Sequence, residues 1–268
     1  MREVNLFRAA LRCLKEADPD RKMDLTRDTA ETWRRGILSV GAAPEPRPVP
    51  EPGRPPAPEL VPPKRLADRN LKGERGRAAL IHAVTHIEFN AVNLAWDAVY
   101  RFRHLPRGFY DDWVRVADEE ARHFLALRQR LRDSDYEYGD FPAHDGLWEM
   151  ARRTDHDVLV RMALVPRVLE ARGLDVTPGM MQRLRRSGDQ DTAAVLEVVL
   201  REEVGHVAAG TRWFRYLCAQ RGCEPEAVFF ELLGEYLRGD IRCPLHREAR
   251  LEAGFSESEL QRLELLCR

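Results

Sequence analysis

Two short motifs carry the strongest chemical signal in the chain. Glu120-Ala-Arg-His123 and Glu203-Val-Gly-His206 each place a carboxylate and an imidazole three residues apart. On a helix that spacing turns both side chains to the same side, so one metal ion can take both. A single Glu-x-x-His is a weak signal, and its weight here comes from its surroundings. Trp113, Val116, Phe124, Leu127 and Leu131 share the face of Glu120, and Leu196, Val199, Val207, Gly210, Phe214 and Leu217 share that of Glu203. Both carboxylates therefore sit in the middle of an apolar stripe that must face a core. Glu119, in contrast, keeps company with Asp112, Arg115 and Arg122 on a solvated face.

Two further glutamates have the same character. Glu88 shares its stripe with Ile81, Val84, Val92, Ala95 and Val99, and Glu170 with Leu159, Ala163 and Pro166. The chain thus shows twice a lone Glu followed, just over thirty residues later, by Glu-x-x-His. Dinuclear sites of ferritin-like bundles have this arrangement, with one Glu from each of two helices and Glu-x-x-His from each of the others. Charge balance supports it. Four ionised carboxylates converging in an apolar core would repel one another and lose hydration, and without a counter-charge most would be neutralised by protons. Two divalent cations cancel four carboxylates and leave both histidines as neutral ligands. The expected ligand set is Glu88, Glu120, His123, Glu170, Glu203 and His206, with Glu120 and Glu203 as bridging carboxylates and the ions about 3.5–4 Å apart. The competing reading, glutamates buried against arginines or held protonated, needs four separate coincidences at matched spacing.

Other polar residues carry weaker signals. His82 and His86 share a helix face well around from Glu88, and HAVTH lacks the glutamate of the HExxH motif, so supporting or structural roles are expected of them. Pro166 lies one turn before Glu170 and should kink its helix. Trp113, Phe124, Trp213 and Phe214 read as core more readily than as a substrate pocket. Arg183, Arg185 and Arg186 read as a solvated face, and His144 and His156 as polar residues without a role. Cys13, Cys218, Cys223, Cys243 and Cys267 form no CxxC pair and are odd in number, which points to unpaired thiols in a reducing compartment. Cys243-Pro-Leu-His246 has ligand-like spacing but no second half.

The elements that must position these residues are helical. Periodicity predicts long helices over 77–103, 109–133, 147–172 and 190–221. Shorter ones are expected from Thr177-Pro178 to Gly188, from Glu224-Pro225 to about Arg238, and after a Ser256/Glu259 capping box. Gly173 reads as a helix stop. Two short helical stretches near 4–17 and 24–38 precede them, the first ending at Asp18-Pro19. Ten of the 17 prolines fall between Pro44 and Pro63, so an extended connector is expected there. The organisation is then a helical extension at 1–41, a connector at 42–66, a four-helix bundle at 67–240 and a C-terminal segment with a short helix at 241–268. The expected class is all-α.

Composition narrows the partners. Hydrophobic residues make up 44% of the 268, enough for a full core, and 43 Lys+Arg against 44 Asp+Glu leave a net charge of −1. No global field recruits nucleic acid or an anionic membrane. No apolar run approaches the roughly 20 residues that span a bilayer, and the amphipathic N-terminus is no signal peptide. A cytoplasmic protein is expected.

The segments LIHAVTHIEFNAVNLAWDAVYRF, YDDWVRVADEEARHF, YGDFPAHDGLWEMA, ALVPRVLEARGLDVTPGM and EEVGHVAAGTRWFRYLC together resemble a bacterial family of ferritin-like proteins, the domain of unknown function 455. The resemblance covers about residues 70–240. It implies a ferritin-like four-helix bundle with a dinuclear site of the di-iron carboxylate type, and all six expected ligands match that pattern. Two metal ions are expected, iron first, with manganese or a mixed pair as alternatives. By analogy of fold, the function is an O₂-dependent oxidoreductase, a hydroxylase or oxidase, acting on a small molecule with an electron donor if it is an oxygenase; a homo-oligomer is compatible with this. The alternatives are iron handling or peroxide detoxification without an organic substrate, or an accessory protein with a structural metal.

Overall fold

The computed structural model describes residues 5–41, 43–66, 73–238 and 241–267. The class is all-α: among these residues there are helices, turns and only isolated bridges such as Leu60–Ala143, with no strand. No helix among them is long and apolar enough to cross a membrane. Contacts divide the chain into two compact units, Met1–Arg152 and Arg153–Arg268. The boundaries expected near residues 67 and 240 fall outside the described residues.

The first unit opens with α1 (Leu6–Lys15) and α2 (Pro19–Arg34). Asn5 caps α1 by accepting from the Phe7 and Arg8 amides. Asp18-Pro19 does more than end the first helix. Asp18 accepts from the Arg21 amide at 2.9 Å and Pro19 takes the first helical position, where its missing N–H costs nothing, so the same dipeptide starts α2. The long helices are α3 (Gly73–Arg101) and α4 (Arg107–Arg132). From Glu88 to Tyr100 every side chain of α3 is buried. On α4 the stripe from Trp113 to Leu131 is buried, whereas Glu119 pairs with Arg115 at 2.8 Å on the outer face. The unit closes within α5 (Gly146–Arg153), whose last residue is the first of the second unit.

The proline-rich stretch forms a strap on this unit, extended except for a 3-10 turn at Pro63–Arg65. Its few amides are spent at specific points. Gly53 donates to Leu14 O at 2.8 Å, and Val61 donates to Ala143 O at 2.8 Å. Gly53 is required for the first: a Cβ there would lie 2.2–2.4 Å from the carbonyl atoms of Lys15 and Glu16 that end α1.

The second unit contains α6 (Val158–Leu164), a π-helical segment (Val165–Glu170), α7 (Ala171–Arg186), α8 (Gln190–Arg221), α9 (Pro225–Leu237), α10 (Arg247–Glu252) and α11 (Glu257–Leu265). Here the sequence-based expectation needs correcting. The helix predicted over 147–172 is not continuous: α5 ends at Arg153, and Asp157 restarts the helix by accepting from the Leu159 amide at 2.7 Å. Nor does Gly173 stop it. A glycine ends a helix by taking a positive φ, as Gly188 (φ 89°) and Gly222 (φ 65°) do; Gly173 does not, and α7 runs on through Pro178.

The cysteines also differ from expectation. Cys243 and Cys267 form a disulfide with their Cα atoms 5.5 Å apart, where the bridge between Ile241 and Cys267 brings the backbones together. Cys243 is therefore not a metal ligand, and His246 instead caps α10, its Nδ1 accepting from the Ala249 amide at 3.1 Å.

Candidate metal centre

In the first unit α3 and α4 bring together Glu88, Glu120 and His123, each no more than 2% exposed. Their ligand atoms lie within 4.8 Å of one another. His123 Nδ1 stands 3.3 Å from Oε2 of both Glu88 and Glu120. The aromatic pair Phe89–Phe124, with ring centroids 5.6 Å apart, locks the two helices at this level, Phe89 following Glu88 and Phe124 lying one turn beyond Glu120.

The electrostatics of this cluster are those of too many groups for too few protons. Burial, and then the neighbouring Glu120 charge, push the Glu88 carboxyl well above the ordinary carboxylate range, against the pull of His123. Burial pulls the His123 imidazole down, but the hydrogen bond to Glu120 and the Glu88 carboxylate beside it outweigh this and carry the group to about 11. Even so, Glu88 Oε2 accepts no hydrogen bond. A buried carboxylate oxygen left in this condition is costly, and a divalent cation in place of the shared proton would satisfy it. The donor set of two carboxylates and one imidazole suits iron, manganese or zinc.

In the second unit α8 supplies Glu203 and His206, which are 6% and 0% exposed. His206 Nδ1 lies 2.8 Å from Glu203 Oε2, the same internal pairing as Glu120 and His123. Glu170, 7% exposed, is the last residue of the π-helical segment. One turn later comes Gly173, where a Cβ would lie 3.8 Å from Glu203 Oε1; the segment after Glu170 runs close against Glu203.

Three features hold this segment. Pro166 has no N–H and cannot complete a regular α-helical ladder, and the wider turn absorbs the defect. Such π-bulges concentrate at functional sites. The Pro166 ring nests against Gly210 of α8 so closely that a Cβ on Gly210 would come within 2.3 Å of it. Arg167, 1% exposed, sits among Phe214, Phe229 and Phe255, its guanidinium carbon 4.8, 4.1 and 4.6 Å from their centroids. Its Nη2 donates to Glu259 Oε1 at 2.5 Å. Glu259 is also the third residue of α11, and its other oxygen accepts from the Ser256 amide at 2.8 Å to close the capping box. One carboxylate thus fixes the start of α11 and pins the π-helical segment that carries Glu170. The capping box was legible in the sequence, but the role of Arg167 was not, because nothing local marks an arginine that reaches ninety residues forward.

The remaining signals resolve as structure. His86 Nδ1 meets the Tyr138 hydroxyl at 2.9 Å and its Nε2 lies 3.2 Å from His144 O, while burial pulls the imidazole down to about 3. His82 Nε2 accepts from the Gly139 amide at 3.0 Å. Both histidines fasten the loop before α5 to α3. Phe124 packs on Phe89 and Tyr138, and Trp113 on Phe109, as core. Arg185 of the basic cluster pairs with Glu197.

The model of the family described as "Protein of unknown function (DUF455)" matches residues 15–261. The chain belongs to this family. A relative from Haemophilus influenzae, described as an uncharacterized protein, is 42% identical over 257 residues, which is 92% of this chain and 89% of the relative. No solved structure matches. The DUF455 match includes all six glutamates and histidines of the two clusters, together with Pro166, Arg167, Gly210 and Glu259.

Proposed function

We propose that this DUF455 protein is a ferritin-like dinuclear metalloprotein. In this reading α3, α4, the π-helical segment with α7, and α8 are the four helices of the bundle. Glu88, Glu120, His123, Glu170, Glu203 and His206 together hold two metal ions, iron foremost. The observation that carries the reading is the buried Glu88–Glu120–His123 cluster, which has two acids, one imidazole and an oxygen without a hydrogen bond. Its pattern is repeated by Glu203 and His206.

Each residue then has a definable task. Each histidine turns Nδ1 toward the glutamate one turn earlier, so Nδ1 is the nitrogen that would hold a metal ion, with the imidazole neutral. The Glu88, Glu120, Glu170 and Glu203 carboxylates balance the charge of two divalent ions. The apolar side chains beside them, Phe89, Phe124 and Val207, are buried and keep bulk water from competing for the ions. Bound iron would supply a two-electron reservoir with positions open to O₂. The reaction class follows by analogy of fold: an O₂-dependent hydroxylation or oxidation of a small molecule, with an external electron donor if it is an oxygenation.

Metal analysis of protein purified from iron-replete cells tests this reading. Two ions per chain are expected, with optical changes on anaerobic reduction and re-exposure to O₂. O₂ uptake stimulated by an organic substrate supports the oxidoreductase, whereas accumulation of a ferric core supports iron handling. Protein that binds no metal under any loading condition refutes both.

A further inference from the structure

A cavity of about 320 Å³ opens in the first unit against α1, the start of the strap and the end of α3. That volume lies in the range of small-ligand sites, which is roughly 300–1,000 Å³. Phe7, Leu11, Val49 and Tyr100 line it together with Arg8, Lys15, Arg47 and Arg103, and Glu45 is the one acid among the lining residues. Several basic side chains elsewhere in this unit find acids: Arg54 meets Asp145 at 3.0 Å, Arg101 meets Asp97 at 2.7 Å and Arg128 meets Asp20 at 2.7 Å. Around the cavity they do not. Among the described residues the side chains of Arg8, Lys15 and Arg47 have no ion-pair partner. Arg103 is prearranged, with Nε donating to Tyr100 O at 2.7 Å and the guanidinium 3.8 Å over the Phe7 ring. Its two terminal nitrogens remain without a hydrogen bond. The wall is fixed as well, because the Arg47 amide donates to the Tyr100 hydroxyl at 2.8 Å.

We infer that this cavity binds a small phosphate monoester with an apolar body, the phosphate on Arg47 and Arg103 and the body against the apolar lining of Phe7, Leu11 and Val49. Four cations against one carboxylate leave an excess that a dianion matches better than a monocarboxylate, and a guanidinium fork suits phosphate oxygens. The inference is independent of the metal reading.

Isothermal titration of the full chain with phenyl phosphate, benzoate and inorganic phosphate tests it. Phenyl phosphate is expected to bind saturably, at least about tenfold more tightly than either of the others. Arg103→Gln and Arg47→Gln should each weaken it at least about tenfold, the order expected for a lost charge-assisted hydrogen bond. Arg27→Gln, which removes an exposed pair with Asp24, should leave it unchanged. Circular dichroism identifies any variant that fails to fold, and the other arginine variant then decides. Absence of saturable binding, equal affinity for all three probes, or full affinity in the folded arginine variants overturns the proposal. So does binding to phosphatidylserine vesicles without binding to phenyl phosphate, which would make the patch a lipid-surface site.

Discussion

Glu88 and Glu170 hold equivalent places in the sequence pattern, each the lone glutamate ahead of a Glu-x-x-His, yet the chain positions them by different means. Glu88 stands in an unbroken α-helix, and the regular rise of α3 against α4, locked by Phe89 on Phe124, suffices to bring it to His123. Glu170 ends a π-helical turn containing a proline, held by the Pro166–Gly210 contact and by the buried Arg167–Glu259 pair. A ligand on a regular helix depends on its neighbours three and four residues away. A ligand on a π-turn depends on whatever keeps that turn from relaxing, and here that includes the C-terminal helix. The segment after α9, which looks like an appendage, acts as a support.

The contrast can be tested by removing the supports one at a time. The largest effect is expected from Glu259→Ala, which leaves Arg167 charged and buried without its partner and removes the side-chain half of the capping box on α11. Breaking a buried pair in this way costs about 3–5 kcal/mol, to be read as a lower denaturation midpoint. Metal retention should fall by about one ion per chain, with the Glu88–Glu120–His123 half retained. Equal loss of both ions would mean that the two halves are not separately supported.

Gly210→Ala should come next. Its Cβ cannot coexist with the Pro166 ring as placed, so α8 or the π-turn must shift, at about 1–3 kcal/mol. Pro166→Gly in the same chain should recover much of this, because the Cβ and Cγ atoms that the added methyl would meet are both gone; failure of the double variant to recover would show that Gly210 matters for another reason.

A smaller effect, confined to the first unit, concerns His86. Its folded-state pKa of about 3 lies below the ordinary value of 6.5, so the unfolded chain takes up the proton first. Stability is therefore complete above about pH 6.5 and declines as the pH falls toward 3. His86→Gln should flatten this part of the stability profile measured by urea titration, at unchanged metal content. Loss of metal in His86→Gln would return this residue to the ligand set.

Much of this architecture was legible in residue types and spacing. The apolar stripes around Glu88, Glu120 and Glu203 predicted three long helices within a few residues of their bounds, and the stripe on α4 separated Glu120 from Glu119. Legibility failed where local signals were ambiguous or distant. Gly173 resembled a terminator, although the decision lies in its φ, which sequence does not reveal. Asp157 restarted a helix that the periodicity carried straight through. Pro166 signalled a break in regular α-helix, but that the break takes the form of a π-turn depends on Gly210 and Glu259, forty-odd and ninety-odd residues away. The Cys243–Cys267 pairing likewise depends on a tertiary contact that no spacing rule contains.

The central claim is that the glutamates in the apolar stripes, and not their sequence neighbours, hold metal. Metal content measured for Glu120→Ala, Glu203→Ala, Glu119→Ala and Glu202→Ala, each purified and loaded identically, tests it most directly. The expected result is loss of most bound metal in the first two and full retention in the last two. Equal loss in all four, or loss in none, would contradict it.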